Sequence, residues 1–210
     1  MHALLRKATL ILALALPLAA AKAQEPDPAT FAAAGPLGEK TMGDPAAPVT
    51  MVEYASLTCS HCGNFYRSTF AALKEKYIDT GKVHFILREF PLDPLALAAA
   101  MIARCGPEED YFAIVDTMFI EQDNWAYVEN PAPALLALVS PYGFTEASFA
   151  ACLKDEAIVE GIVDVARRGQ EHGVAGTPAF FFNGEIETGA MTIERIDAIV
   201  EPLLAEQVSE

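Results

Sequence analysis

Two cysteines, Cys59 and Cys62, enclose Ser60-His61 where an apolar run gives way to a helical pattern. Cysteines three apart at the start of a helix can close a small disulfide ring that leaves the first sulfur exposed. Free N–H groups and the helix dipole favour a thiolate there, and His61 adds a donor or a positive charge. A fall in the Cys59 pKa from roughly 8.5 to between about 3.5 and 7 would stabilise the reduced pair by about 2 to 7 kcal/mol. A disulfide whose reduced form is so stable is an oxidant.

The same spacing also occurs in zinc sites and in structural disulfides. Within the sequence there is no second C-x-x-C, and the histidines at 61, 84 and 172 do not recur at ligand spacing. Both observations argue against zinc, and we expect no metal. A purely structural link is also disfavoured, because a four-residue ring constrains the chain very little.

The other two cysteines, Cys105 and Cys152, complete an even count, which in an exported chain indicates disulfides. Because Cys59 and Cys62 are neighbours, we expect Cys105 to pair with Cys152. A loop of this length would contribute roughly 4 kcal/mol. Two free buried thiols are the alternative, and a regulatory role for the pair stays open.

Hydrophobic patterns predict a strand, a helix and a second strand around the first cysteine pair. Pro48 to Tyr54 is apolar and β-branched except at Glu53, as is typical of a strand buried on both faces. From His61 apolar residues recur at helical spacing as far as Thr80-Gly81, and Lys82 to Phe90 predicts the next strand. Together they form a βαβ unit, which should be parallel and right-handed.

The rest of the chain is predicted to be a helical block, a β-hairpin and a last helix. Asp93 should cap a helix that starts at Pro94. Asn183-Gly184 predicts a hairpin turn. Trp125 is expected to pack between helices from within a loop. The other predicted segments are helices at 108–121 (burying Phe112, Val115 and Phe119), 133–139, 145–153, 155–172 and after Thr192, and strands at 179–182 and 185–187.

The first 23 residues have the pattern of a secretory signal. Arg6 and Lys7 precede an apolar stretch at 8–21, and Ala21 and Ala23 are the small residues that a signal peptidase reads. We expect cleavage after Ala23 and a flexible leader over 24–36. An uncleaved anchor is the alternative, but the stretch is shorter than the ~20 residues that span a bilayer.

Removing this signal, which carries three basic residues and no acidic ones, would change the net charge from −15 to −18. So acidic a chain disfavours nucleic acid and anionic lipid as partners.

The sequence resembles the DsbA-type branch of the thioredoxin superfamily, in the group with a helical insertion. The resemblance is carried by residues 43–62 (GDPAAPVTMVEYASLTCSHC), 77–92 (YIDTGKVHFILREFPL) and 173–184 (GVAGTPAFFFNG), and it covers about 37–206. It implies an α/β thioredoxin-like domain over 37–94 and 160–206, interrupted by an all-helical insertion over 95–159.

The resemblance also implies roles for individual residues. Cys59 would be the nucleophile that forms a mixed disulfide with substrate, and Cys62 the buried partner that resolves it. His61 would help to hold the thiolate. Pro178 would be a cis proline beside the cysteines, turning the backbone of Thr177 toward an extended peptide that pairs like an added strand.

Glu53 corresponds to a buried acid that lies beneath the disulfide in this family. Desolvation would raise its pKa, and the group could then shuttle the proton of Cys62 during exchange. The alternative is a glutamate at a strand end that reaches solvent.

The resemblance implies a periplasmic monomer that introduces disulfides into unfolded or partly folded exported proteins. A DsbB-type membrane partner would reoxidise it, and no cofactor would be needed because the dithiol is the redox centre. Two features leave isomerase or reductase activity open: the dipeptide is Ser60-His61 rather than Pro-His, and Thr177 precedes the proline. A hydroxyl at Thr177 could bond the Cys59 sulfur. A non-catalytic binding or chaperone protein is the other alternative.

Overall fold

A mixed five-stranded sheet lies at the centre of the computed structural model, which describes residues 35–189 and 191–207. The expected signal peptide and residues 24–34 of the leader lie outside the described residues. The strands run in the order β1-β3-β2-β4-β5, and only β2 and β3 are parallel. Their bounds are Lys40–Met42 (β1), Val49–Ala55 (β2), Val83–Glu89 (β3), Ala179–Phe182 (β4) and Glu185–Thr188 (β5).

The predicted βαβ unit is present, with Glu53 of β2 opposite Leu87 of β3. The crossover helix, α1, begins as Ser60–Phe65 and continues through π-helical Tyr66–Phe70, α-helical Ala71–Leu73 and π-helical Lys74–Ile78. Single π-helical turns inside α-helices often occur at functional sites. Here they follow directly on the cysteine pair.

Five helices between β3 and the next long helix form the inserted block. They are Pro94–Cys105 (α2), Tyr111–Ile120 (α3), Gln122–Trp125 (α4), Pro131–Val139 (α5) and Glu146–Cys152 (α6), with 3₁₀ turns at Glu108–Asp110 and Ser140–Tyr142. Asp93 caps α2, as predicted, by accepting a hydrogen bond from the Ala96 N–H at 2.8 Å.

Two details of the inserted block differ from the sequence prediction. Trp125 is fully buried but belongs to the short helix α4 rather than to a loop. On α3 the buried face includes Tyr111 and Ile114, whereas Phe112 is only half-buried. Val115 and Phe119 are buried as predicted, and only Phe112, a large apolar residue at the edge of this face, was placed wrongly.

The C-terminal part returns to the sheet. Helix α7 (Glu156–Glu171) ends before Gly173, whose φ of +91° fits the left-handed position that glycine favours. Asn183 and Gly184 both have positive φ and form the tight hairpin turn between β4 and β5. Helix α8 (Ile193–Gln207) then packs on the sheet.

The short strand β1 was not predicted, because three residues carry too little periodic pattern. Its segment, residues 35–42, is held to the sheet and to the inserted block by charged groups. Glu39 pairs with Arg88 at 2.6 Å, Lys40 pairs with Glu108, and Arg104 donates to the carbonyls of residues 37 and 38.

No single helix within 35–189 and 191–207 combines the length and apolarity of a membrane span. Only the helices Pro131–Tyr142 and Glu146–Cys152 taken together, which meet at a bend of 109°, pass that test by length and composition.

Candidate active site

The cysteine pair lies where β2 ends and α1 begins. Cys59 is the N-cap residue of α1, with φ −78° and ψ 116°, and its side chain is half-buried. Cys62 is in the first helical turn and is completely buried in the core. Both cysteines are free thiols in this structure. One sulfur therefore faces a partner from outside, and the other is shielded.

Hydrogen bonds lower the pKa of Cys59 from an ordinary 9.0 to about 5. The largest contribution is a hydrogen bond from the Cys62 thiol, which outweighs the opposing effect of burial. The Thr177 side chain and the backbone N–H groups of Cys62 and His61 add to it. The imidazole of His61 is exposed, so the structure shows this residue acting on the sulfur through its backbone.

Cys62 has the opposite character. Burial, reinforced by its bond to Cys59 and by the neighbouring Glu53, raises the pKa of its thiol far above the ordinary value. At neutral pH the reduced pair is therefore one thiolate and one thiol. That asymmetry gives Cys59 the chemical character of a nucleophile and of a good leaving group.

Glu53 lies within β2 and has no solvent exposure. Burial raises the pKa of its carboxyl to about 8, although the Tyr66 hydroxyl beside it has a lowering effect. The two groups are close, but among the described residues neither oxygen of Glu53 nor the hydroxyl of Tyr66 makes a hydrogen bond of normal geometry. A neutral carboxyl group is thus held next to Cys62, where it can give or take a proton.

Thr177 and Pro178 lie across from the cysteines, joined by a cis peptide bond. The Cys59 thiol donates to the Thr177 carbonyl at 3.3 Å, so the hydrogen bond in the structure involves the backbone rather than the predicted hydroxyl. The Thr177 hydroxyl is buried without a partner. When Cys59 ionises it can no longer donate, and the hydroxyl is close enough to turn its proton toward the sulfur.

Sequence reasoning missed three residues that complete the site. Tyr66 lies beside Glu53, while Gln122 and Tyr127 reach from the inserted block to the loop that carries Cys59. Nothing in the local sequence signals the contacts of Gln122 and Tyr127, because both residues lie more than 60 positions away and are brought here only by tertiary folding.

Cys105 and Cys152 are joined by a disulfide with an S–S distance of 2.12 Å. The bond links the end of α2 to the end of α6 within the inserted block. Among residues 35–189 and 191–207, no three His, Cys, Asp or Glu side chains come together as a metal-binding group.

A parallel βαβ unit with a C-x-x-C at the start of its helix, and a cis proline opposite, defines the class of thioredoxin-fold proteins. Residues 37–202 match the family model described as thioredoxin. Wolbachia pipientis alpha-DsbA1 is 34% identical, with a TM-score of 0.76 over 81% of this chain and 93% of that one. The chain therefore belongs to the DsbA-like branch of the thioredoxin superfamily.

Two further comparisons agree with this placement. A putative protein-disulfide oxidoreductase of Rickettsia conorii is 33% identical over 80% of this chain and 61% of that protein. The chain thus spans about three fifths of the length of that relative. Chlamydia trachomatis DsbA, at 19% identity, shares the fold with a TM-score of 0.69 over 80% of this chain and 91% of that one.

Proposed function

We propose that this protein is a thiol–disulfide oxidoreductase that oxidises cysteine pairs of exported proteins in the periplasm. The observation that supports the proposal is that the two sulfurs differ in accessibility and in the direction of their pKa shifts. Cys59 is accessible and stabilised as a thiolate, whereas Cys62 is buried and kept protonated. A stable reduced state favours electron flow from substrate to enzyme.

The cycle begins with an oxidised Cys59–Cys62 disulfide. A substrate thiolate attacks the Cys59 sulfur, because that sulfur is accessible, and a mixed disulfide forms. Cys62 leaves with the electron pair and takes a proton from Glu53, whose pKa of about 8 keeps it protonated at neutral pH. Glu53 regains its proton from water afterwards.

A second substrate thiol then completes the transfer. Its thiolate attacks the substrate sulfur of the mixed disulfide, and Cys59 leaves as the stable thiolate. Two electrons have then passed to the enzyme. The two substrate thiols lose two protons: one is matched by the proton that Cys62 has gained, and the other is released to solvent. A DsbB-type membrane partner would take the two electrons and restore the disulfide, with no cofactor bound to this chain.

The reduction potential distinguishes the proposed oxidase from a reductase or isomerase. Equilibration with glutathione should give a value more oxidising than about −180 mV, whereas a value near −270 mV would indicate a reductase. The matched control is the Cys105→Ala/Cys152→Ala variant, which retains the Cys59–Cys62 pair and should give the same potential.

Trapping tests the nucleophile directly. A Cys62→Ser variant whose Cys59 first forms a mixed disulfide with oxidised glutathione should exchange the glutathione for an unfolded client that carries a single thiol. Reduced glutathione leaves, and the covalent adduct accumulates because no second thiol is present to resolve it. Cys59→Ser should form none. Adducts that persist in Cys59→Ser would show that another cysteine is the nucleophile, and biological activity that survives this substitution would support a non-catalytic binding protein instead.

A further inference from the structure

The loop before the nucleophilic cysteine is held from outside the thioredoxin-like part of the chain. Three successive carbonyl groups, those of Leu57, Thr58 and Cys59, each accept a hydrogen bond from the inserted block. The Gln122 amide donates to Leu57 at 2.8 Å and to Cys59 at 3.0 Å. The Tyr127 hydroxyl donates to Thr58 at 2.8 Å.

The position of the Gln122 side chain is tightly constrained by its surroundings. Its side chain is fully buried, and its oxygen lies 3.4 Å from the Tyr127 hydroxyl. It packs over Gly63 in the first turn of α1, where a Cβ would come within 2.5 Å of the Gln122 oxygen. The glycine after the C-x-x-C therefore provides the space that lets the inserted block approach the loop.

These bonds fix the orientation of three peptide groups. Because a peptide unit is planar, holding its carbonyl also sets the direction of the N–H on the other side. The Cys59 carbonyl accepts from both Gln122 and the Gly63 N–H, which uses both of its lone pairs. Cys59 is thereby kept at the N-cap of α1, where the backbone N–H groups of residues 61 and 62 lower the pKa of its thiol.

We propose that Gln122 and Tyr127 are positioning residues that hold the Cys59 loop so that the helix N-terminus stabilises the thiolate. Neither residue hydrogen-bonds the sulfur in the structure. They act through the backbone of residues 57–59. The inserted block is therefore part of the redox centre, and it adjusts the chemistry of a motif that lies outside it.

The test is a pH titration of thiolate formation in the reduced full-length protein, followed by ultraviolet absorbance. Gln122→Leu should raise the pKa of Cys59 by about 1, a ~tenfold shift in its ionisation equilibrium. Tyr127→Phe should raise it less, and Gly63→Ala, which crowds Gln122, should raise it in the same direction. The rate of alkylation at a fixed acidic pH should fall in the same order.

Two matched controls separate positioning from general stability. Tyr142→Phe removes another tyrosine hydroxyl of the inserted block, one that donates to the carbonyl of Ala113. Gln170→Leu removes an exposed glutamine of α7. Both should leave the pKa of Cys59 unchanged. Unfolding curves measured alongside report any loss of stability separately.

The proposal is overturned if the variants lower stability but leave the pKa of Cys59 where it is in the wild type. Should Gln122→Leu fail to fold, Tyr127→Phe decides the matter, because that side chain is 53% exposed and its loss is tolerable. The inference rests on the proposed function, and the titration distinguishes the two. An ordinary wild-type pKa refutes both, whereas a low wild-type pKa that no variant changes refutes only the positioning role.

Discussion

Oxidising the Cys59–Cys62 pair should remove a contribution to the stability of the folded protein that depends on pH. The folded reduced protein holds Cys59 with a pKa of about 5 instead of 9.0. For an acid whose pKa is lowered by folding, the stabilisation is complete above the unfolded pKa and is lost as the pH falls through the folded one. The oxidised protein has no thiolate and lacks this contribution.

The size of the effect follows from the two pKa values. At about pH 7 the folded Cys59 lies about two pH units above its pKa, which corresponds to at most about 2.7 kcal/mol. Because the sulfur is only half-buried, solvent screening reduces this to about 1 to 2 kcal/mol. The disulfide acts in the opposite direction. By closing a four-residue loop it lowers the entropy of the unfolded chain, and so stabilises the oxidised protein by about 2 kcal/mol at any pH. The pH dependence is therefore the clean signal.

Guanidinium unfolding of both forms across a pH series measures this difference. The reduced form should gain about 1 to 3 kcal/mol relative to the oxidised form between about pH 5 and about pH 8. Cys105–Cys152 must stay oxidised in both samples, which limited reductant achieves if Cys59–Cys62 has the higher potential. In the reduced Cys59→Ser variant the rise should vanish. A difference that stays flat across this range would refute the reasoning.

Three further predictions concern neighbouring groups. Glu53→Gln should stabilise the fold by up to about 4 kcal/mol at about pH 8 and above. Burial raises the Glu53 pKa from 4.5 to about 8, so the stability of the wild type falls as the pH rises through that window. Denaturant unfolding of both proteins measures the difference, and equal pH profiles would contradict the prediction. Thr177→Val should raise the pKa of Cys59 in a thiolate titration, and an unchanged pKa would show that the hydroxyl is not engaged. Cys105→Ala/Cys152→Ala should cost about 4 kcal/mol of unfolding free energy, from a sequence separation of 47, at an unchanged potential. A changed potential would instead indicate a regulatory pair.

The elements that carry the site were predictable because their signals are local. A continuous apolar run located β2, helical periodicity located α1, the segment after Thr80-Gly81 located β3, and Asn183-Gly184 located the hairpin. The fold class followed from the resemblance to the DsbA-type branch, and the comparisons confirm it. The bounds of the inserted block, 95–159, stay a prediction.

What the sequence could not supply depends on contacts between distant residues. Glu53 could have been a strand-end residue by pattern alone, and only the packing of the sheet shows it fully buried. Gln122 is one polar residue among several in EQDN, and its role appears only when α4 meets the loop at 57–59. The strand β1 is defined by its pairing with β3, so its three residues had no signal of their own.

The charged contacts of residues 35–42 matter for anyone who shortens this protein for expression. A recombinant version that starts at Gly43 would lack Glu39, which pairs with Arg88, and the two carbonyl groups that accept hydrogen bonds from Arg104. Both guanidinium groups are almost fully buried, and a buried charge that loses a partner is costly. Trimming there would leave the cysteine motif intact but weaken the contacts between the sheet and the helices of the inserted block.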